Sequence, residues 1–172
     1  MDTINKKQLL ERVLEYKNKY SIDVIKLANG LGINIFHNSD IKKSAQISYD
    51  ESDGSVKILV RKDEPFTRQR FSVAHELAHY VLHADILKTN GSLHRNVKKV
   101  SEDIEKEADK LSAEILMPDS LVKSFIKKNR IDVSKIDKVD VQNISDSFKV
   151  SNYVTAIRLR DMDYYVPYIE FS

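Results

Sequence analysis

Leu9, Leu10, Val13, Leu14 and Tyr20 recur near the period of a helix, and the spacing predicts a first helix across KKQLLERVLEYKNKY. SIDVIKLANGLG reads as a second, short helix stopped by Gly30 and Gly32. INIF follows as a strand. The period then falls to two: Ile47 and Tyr49 alternate on one arm and Val56, Ile58 and Val60 on another, and Asp53-Gly54 between them supplies the positive-φ turn of a hairpin. Together these segments predict a small, three-stranded sheet. After Pro65 the helical period returns, with Phe71, Ala74, Ala78 and Val81 as an apolar stripe. A polar loop, KTNGSLHRNVKK, leads to Ser101, which has the character of an N-cap, with Glu102 and Asp103 in the first turn where the helix dipole favours negative charge. Ile104, Ala108, Leu111 and Ile115 carry that helix to Pro118. SLVKSFIKK and VQNISDSFKVSNYVTAIRLRDM predict further helices, and YYVPYIEF an extended tail. The class is α+β, with helices before and after one small sheet.

The chain has 172 residues, enough for one compact unit. Its 28 basic and 26 acidic residues nearly balance, so no broad field draws it to nucleic acid or lipid. Cysteine is absent, which excludes disulfides, thiolate catalysis and Cys-based metal sites and leaves His, Asp and Glu as metal ligands. No segment offers the roughly 18 apolar residues of a membrane span, and the N-terminus lacks the apolar core of a signal peptide. A soluble protein of the reducing cytoplasm is expected.

The chemistry lies in FSVAHELAHYVLH. Residues four apart share a helix face, so His75 and His79 can present ring nitrogens to one ion. Glu76, one step round, can take a proton from water at such a site without ligating the ion, the position that a general base needs. The plain alternative is an amphipathic helix that carries histidines by chance. A third ligand decides between them, because catalytic zinc takes three protein ligands and keeps one position open. His83 continues the series, but a helix rises about 6 Å in four residues, so the three rings cannot converge on one ion; His83 is assigned to the surface or to a supporting contact. An extended H-E-x-x-H-x-x-G-x-x-H site fails, since Leu82 and Asp85 stand where glycine and histidine are needed. Glu105 and Asp109, four apart on the following helix, remain: Glu105 as a ligand carboxylate, Asp109 as an acceptor for the distal N–H of a ligating histidine. Glu102 and Glu107 lack an acid four residues on. Read alone, Glu105 and Asp109 are better taken as a solvated acidic flank; His75 and His79 upstream turn the reading to a metal site.

Three stretches resemble the ImmA/IrrE metallopeptidases, within the thermolysin-like group of H-E-x-x-H plus glutamate zinc enzymes. RFSVAHELAHYVLH is similar to the family's active-site helix, EKEADKLSAEILMP to its E-x-x-A-[ND] helix, and ISDSFKVSNYVTAIRL to a shorter segment near its end. The resemblance implies a minimal zincin-like fold with a zinc peptidase core over residues 1–118. Residues 119–172 would be a helical extension packed on that core and not an independent domain. It makes His75, His79 and Glu105 the zinc ligands and Glu76 the base, and puts Asp109 where the family has Asn or Asp. Ala78 replaces the family's glycine. For the group that steadies the oxyanion, His94, Arg95, Tyr153 and Tyr165 are all candidates, and spacing favours none of them.

The resemblance further implies a narrow protein substrate, a helix-turn-helix repressor of a phage, a mobile element or a stress response. The substrate backbone is expected along the exposed edge of the sheet formed by residues 45–60. Manganese or iron could replace zinc in a His2Glu site. Two other readings stand beside this one. The segment VQNISDSFKVSNYVTAIRL could be a DNA-binding helix-turn-helix, but its bases are only Lys149, Arg158 and Arg160, spread through an apolar pattern, so direct nucleic-acid binding is not expected. Alternatively, the chain could bind a toxin–antitoxin or regulator partner without cutting it.

Overall fold

A computed structural model of the chain describes residues 4–90 and 102–166. The N-terminal helix α1, Lys6–Val13, starts at a reciprocal cap: the Asn5 side chain accepts from the Gln8 N–H while the Gln8 side chain accepts from the Asn5 N–H. It is shorter than the periodicity predicts. After a 3-10 turn, Leu14–Tyr16, the chain forms a two-stranded ribbon, β1 (Lys17–Asn18) and β2 (Ser21–Ile22), around Lys19 at φ 57°. Tertiary packing explains the difference. Tyr20 leaves the helical line to meet the rings of Phe125 and Phe148 at centroid distances of 5.0 and 5.7 Å. The next helix, α2 (Val24–Gly30), begins at the Asp23 cap and gives way to Gly32 at φ 77°.

Strands β3 (Ile33–Asn38), β4 (Ala45–Tyr49) and β5 (Val56–Arg61) form the expected three-stranded sheet in the order β3-β5-β4. The β4–β5 hairpin is antiparallel with Ile47 opposite Ile58, whereas β3 runs parallel to β5. Ile33, Ala45, Ile47, Val56, Ile58 and Val60 are buried on one face, and α3 (Phe66–Leu82) packs against β4 and β5 there. Phe36, on the alternate positions, is exposed. This leaves β4 as a sheet edge lying beside α3.

A short helix, α4 (Ala84–Asn90), follows α3 and takes in Lys88 to Asn90, the start of the segment read above as loop; the burial of Leu87 accounts for it. The rest of that loop and the Ser101 cap lie outside the described residues. Helix α5 (Glu102–Leu116) packs more extensively on α3 than any other pair of elements packs together. Both helices bury small side chains, Ala74 and Ala78 on α3 and Ala108 on α5, which permits close approach. Beyond Pro118 come α6 (Asp119–Asn129), α7 (Lys138–Phe148) and α8 (Asn152–Asp161). The long segment read as helical is thus divided: Lys149 at φ 55° ends α7, and the Ser151 hydroxyl caps α8 by accepting from Val154 N–H. Tyr164 to Val166 carry no regular element, and the remainder of the predicted extended tail lies outside the described residues.

Two buried arginines tie the C-terminal helices to the rest. Arg70 on α3 donates from Nη1 to Ile22 O at 2.7 Å, from Nε to Lys149 O at 3.0 Å and from Nη2 to Phe148 O at 3.4 Å. Arg158 donates from Nε to Met117 O at 2.9 Å and pairs with Asp119. Replacing Arg70 with Met keeps its apolar stem but leaves three carbonyls without their donor, and should cost about 3 kcal/mol of stability. The measurement is the urea midpoint; an unchanged midpoint would refute the clamp.

Candidate metal centre and active site

Helical spacing on α3 brings His75 and His79 onto one face, and α5 offers its first turn to them. His75 Nε2 lies 2.9 Å from His79 Nε2 and 3.1 Å from Glu105 Oε2, and His79 Nε2 lies 3.6 Å from Glu105 Oε1. Three ligands at the usual zinc bond lengths of 2.0–2.2 Å in tetrahedral array stand roughly 3.3 Å apart, and the observed triangle brackets that edge. Among the described residues, this is the cluster of His and acidic side chains compact enough to hold an ion. The donor chemistry agrees. The Nδ1 of His75 is 2.9 Å from Asp109 Oδ1, so it carries the proton and donates, leaving Nε2 as a lone pair facing the other two ligand atoms. The Asp109 contact expected from the E-x-x-x-D spacing is therefore present.

Glu76, one step round α3, lines the same cleft as His75 and Glu105 and reaches the sheet. Its side chain is 4% exposed, and its Oε2 accepts the Ile47 N–H of β4 at 3.0 Å. Ser44 O accepts from Arg61, so the even positions of this strand bond to β5 and the odd ones direct their backbone polar groups outward. The carboxylate is thus pinned to the free edge of the sheet. A cleft of about 760 Å³ opens there, lined among others by Lys43, Ala45, Phe71, His75, Glu76 and Tyr153.

Burial pushes the Glu76 carboxyl up to about 7, against the opposing pull of the His75 ring, the Ile47 N–H and Lys43. Burial also disfavours the charged form of His75. The hydrogen bond that the ring donates to Asp109 and the charges of Glu76, Asp109 and Glu105 outweigh it and raise that ring above its ordinary value.

Of the residues considered for the oxyanion, Tyr153 lines the cleft at the start of α8 and is 67% exposed, while Tyr165 is 70% exposed and is absent from the lining. His94 and Arg95 lie outside the described residues. His83 is not at the surface. It is 8% exposed and sits behind His79, with Nδ1 to Nδ1 at 3.0 Å and its Nε2 3.4 Å from Glu107 Oε2. The i, i+4 continuation of the histidine series was the available signal for that contact. The bond from Ile47 had no such signal, because a backbone donor on a strand edge leaves no mark in residue type.

An α+β chain that sets an H-E-x-x-H helix against a small sheet, with an acidic residue from the next helix beside the two rings, has the architecture of a minimal zincin-like fold. Residues 28–160 match the family model described as Peptidase_M78, IrrE N-terminal-like domain, and the chain belongs to that family. Membership implies a metal, and the triangle of donors fits one. No curated protein matches the chain. Among solved structures, a Mycobacterium tuberculosis transcriptional regulator is similar, with a TM-score of 0.58 and 14% identity over 90% of this chain. The match spans 46% of that regulator, and at this identity it speaks for the fold alone.

A carboxyl whose value rises from 4.5 to about 7 on folding holds its proton more tightly in the folded chain. Its contribution is therefore fully present below pH 4.5 and is lost as pH rises through 7. For the chelator-treated chain, stability should fall by on the order of 3 kcal/mol across that window. Glu76→Gln should remove most of the fall, as read from urea midpoints at pH 5 and pH 8.

Proposed function

We propose that this chain is a metal-dependent endopeptidase that cuts one peptide bond in a narrow class of protein, a helix-turn-helix transcriptional repressor. The observation that carries the reading is the meeting of His75, His79 and Glu105 with ligand atoms 2.9 to 3.6 Å apart, and with Glu76, on the helix of the two histidines, buried at the cleft wall. His75, His79 and Glu105 would hold a divalent cation, zinc in the first instance with manganese or iron as alternatives, which when bound would supply Lewis-acid polarisation of the scissile carbonyl and acidify water.

The chain's own residues supply the rest. Glu76 takes the proton of the attacking water and returns it to the leaving amine, a role suited to an acid poised near neutral pH. Its Oε2 stays on Ile47 N–H, which fixes the carboxylate while the other oxygen handles the proton. The substrate lies extended along β4, where the outward backbone groups of Ala45 and Tyr49 can pair with it as an added strand. Tyr153 at the cleft is the better placed of the two described tyrosines to donate to the oxyanion. The substrate class rests on the family resemblance. Among the described residues no helix is long and apolar enough to cross a membrane; the proposed setting is the cytoplasm, where a transcriptional repressor would be met.

The DNA-binding reading loses ground to the packing of α8. Arg158 is 5% exposed and engaged with Met117 and Asp119, so it cannot reach a phosphate. The test is metal analysis of the purified chain, followed by mass spectrometry of a neighbouring-gene helix-turn-helix repressor after co-incubation. Cleavage at one site is expected. Glu76→Gln should keep metal and partner binding while slowing cleavage at least ~100-fold, whereas His79→Ala should lose both metal and cleavage. A Glu76→Gln chain that cuts at the wild-type rate would overturn the proposal.

A further inference from the structure

The neighbourhood of His79 contains an arrangement that the proposed reaction does not use directly. His79 is fully buried, so water cannot serve its distal nitrogen. That nitrogen, Nδ1, faces His83 Nδ1 at 3.0 Å, and the far side of the His83 ring, Nε2, faces Glu107 Oε2 at 3.4 Å. Only one assignment of protons satisfies both contacts when His79 offers its Nε2 lone pair to an ion. His79 Nδ1 must donate, His83 Nδ1 must accept, and His83 Nε2 must then carry the proton that goes to the Glu107 carboxylate. Glu107, whose side chain is 66% exposed, sets the direction of the chain from its outer end.

We infer that His83, oriented by Glu107, is a positioning residue for the metal centre: it accepts the Nδ1 proton of His79 and so holds that ring in the tautomer and orientation in which Nε2 can ligate. The inference rests on the metal reading of His75, His79 and Glu105. Asp109 has the corresponding place behind His75. His83 is one residue beyond the end of α3, as its C-cap, and stays close because its own N–H donates to His79 O at 2.8 Å. The i, i+4 relation that prevents His83 from joining the ion is what puts its ring behind His79.

Asn and Leu have nearly the same shape, and both lose the same ring volume at position 83, but only Asn keeps an acceptor near the place of Nδ1. Zinc affinity, measured by chelator competition with no substrate present, should therefore stay within about threefold of wild type in His83→Asn and fall ~10–100-fold in His83→Leu. In the zinc-loaded wild type, nitrogen NMR should show the His79 proton on Nδ1, and Glu107→Gln should weaken zinc by only a few-fold because an amide oxygen still accepts. Equal losses in the Asn and Leu variants would mean that the ring contributes volume alone. Unchanged affinity in both would mean that it contributes nothing. Either result overturns the inference while leaving the metal site intact, whereas a wild-type chain that binds no zinc would bring down the metal reading itself.

Discussion

One constraint organises the molecule: α3 takes Arg70, His75, Glu76 and His79 largely out of water, so each must be met by something from another part of the chain. Arg70, Glu76 and His79 are 7%, 4% and 0% exposed, and His75 is half-buried. An unpaired polar group at such places costs several kcal/mol, more if charged. The partners therefore dictate the architecture. Three carbonyls from β2 and the α7–α8 junction gather round Arg70, the free edge of β4 supplies Ile47 N–H to Glu76, and α5 sends Glu105 and Asp109 to the rings. The α+β packing around α3 and the geometry of the candidate site answer the same demand.

This explains which features were legible in the sequence. Helical spacing is local, so His75, Glu76 and His79 could be placed from their own numbers, and the E-x-x-x-D pair from its four-residue spacing on a flank beside an apolar stripe. The hairpin was legible because alternation and an Asp-Gly turn occur within a dozen residues of each other. The errors fell where a distant group decided a local outcome. Tyr20 fits the helical period of α1, yet the rings of Phe125 and Phe148, more than a hundred positions later, draw it into a ribbon instead. For His83 the spacing left two places open, the surface or a supporting contact behind His79, and only the packing of α5 with Glu107 decides for the second.

The same logic bears on the C-terminal helices. Counted as charges, Lys149, Arg158 and Arg160 were too few and too scattered to predict a nucleic-acid surface. Placed in the fold, Lys149 serves as a left-handed helix terminus, Arg158 closes the α5–α6 corner through Met117 O and Asp119, and Arg160 reaches Val166 O at 3.4 Å. A cation on an apolar pattern is as readily a tie between backbone carbonyls as a ligand for phosphate, and burial separates the two readings.

The two candidate ligand rings are held by different means, and the difference follows their depth. His75 is within reach of solvent, and its distal nitrogen meets a carboxylate directly, that of Asp109, which is 56% exposed and keeps most of its hydration. His79 lies fully inside, where a bare carboxylate would lose its water with no second partner to compensate. There a neutral imidazole accepts instead, and the negative charge stands one ring further out, on Glu107, at 66% exposure. Each ring thus has an acceptor behind it and a lone pair in front, but the buried one obtains it without a buried anion. Two lone pairs and the Glu105 carboxylate then face one another across 2.9 to 3.6 Å, an arrangement of like partial charges that a bound cation would relieve. The negative charge that helps hold His79 ready thus sits at the surface, and the interior keeps only the neutral half of the pair.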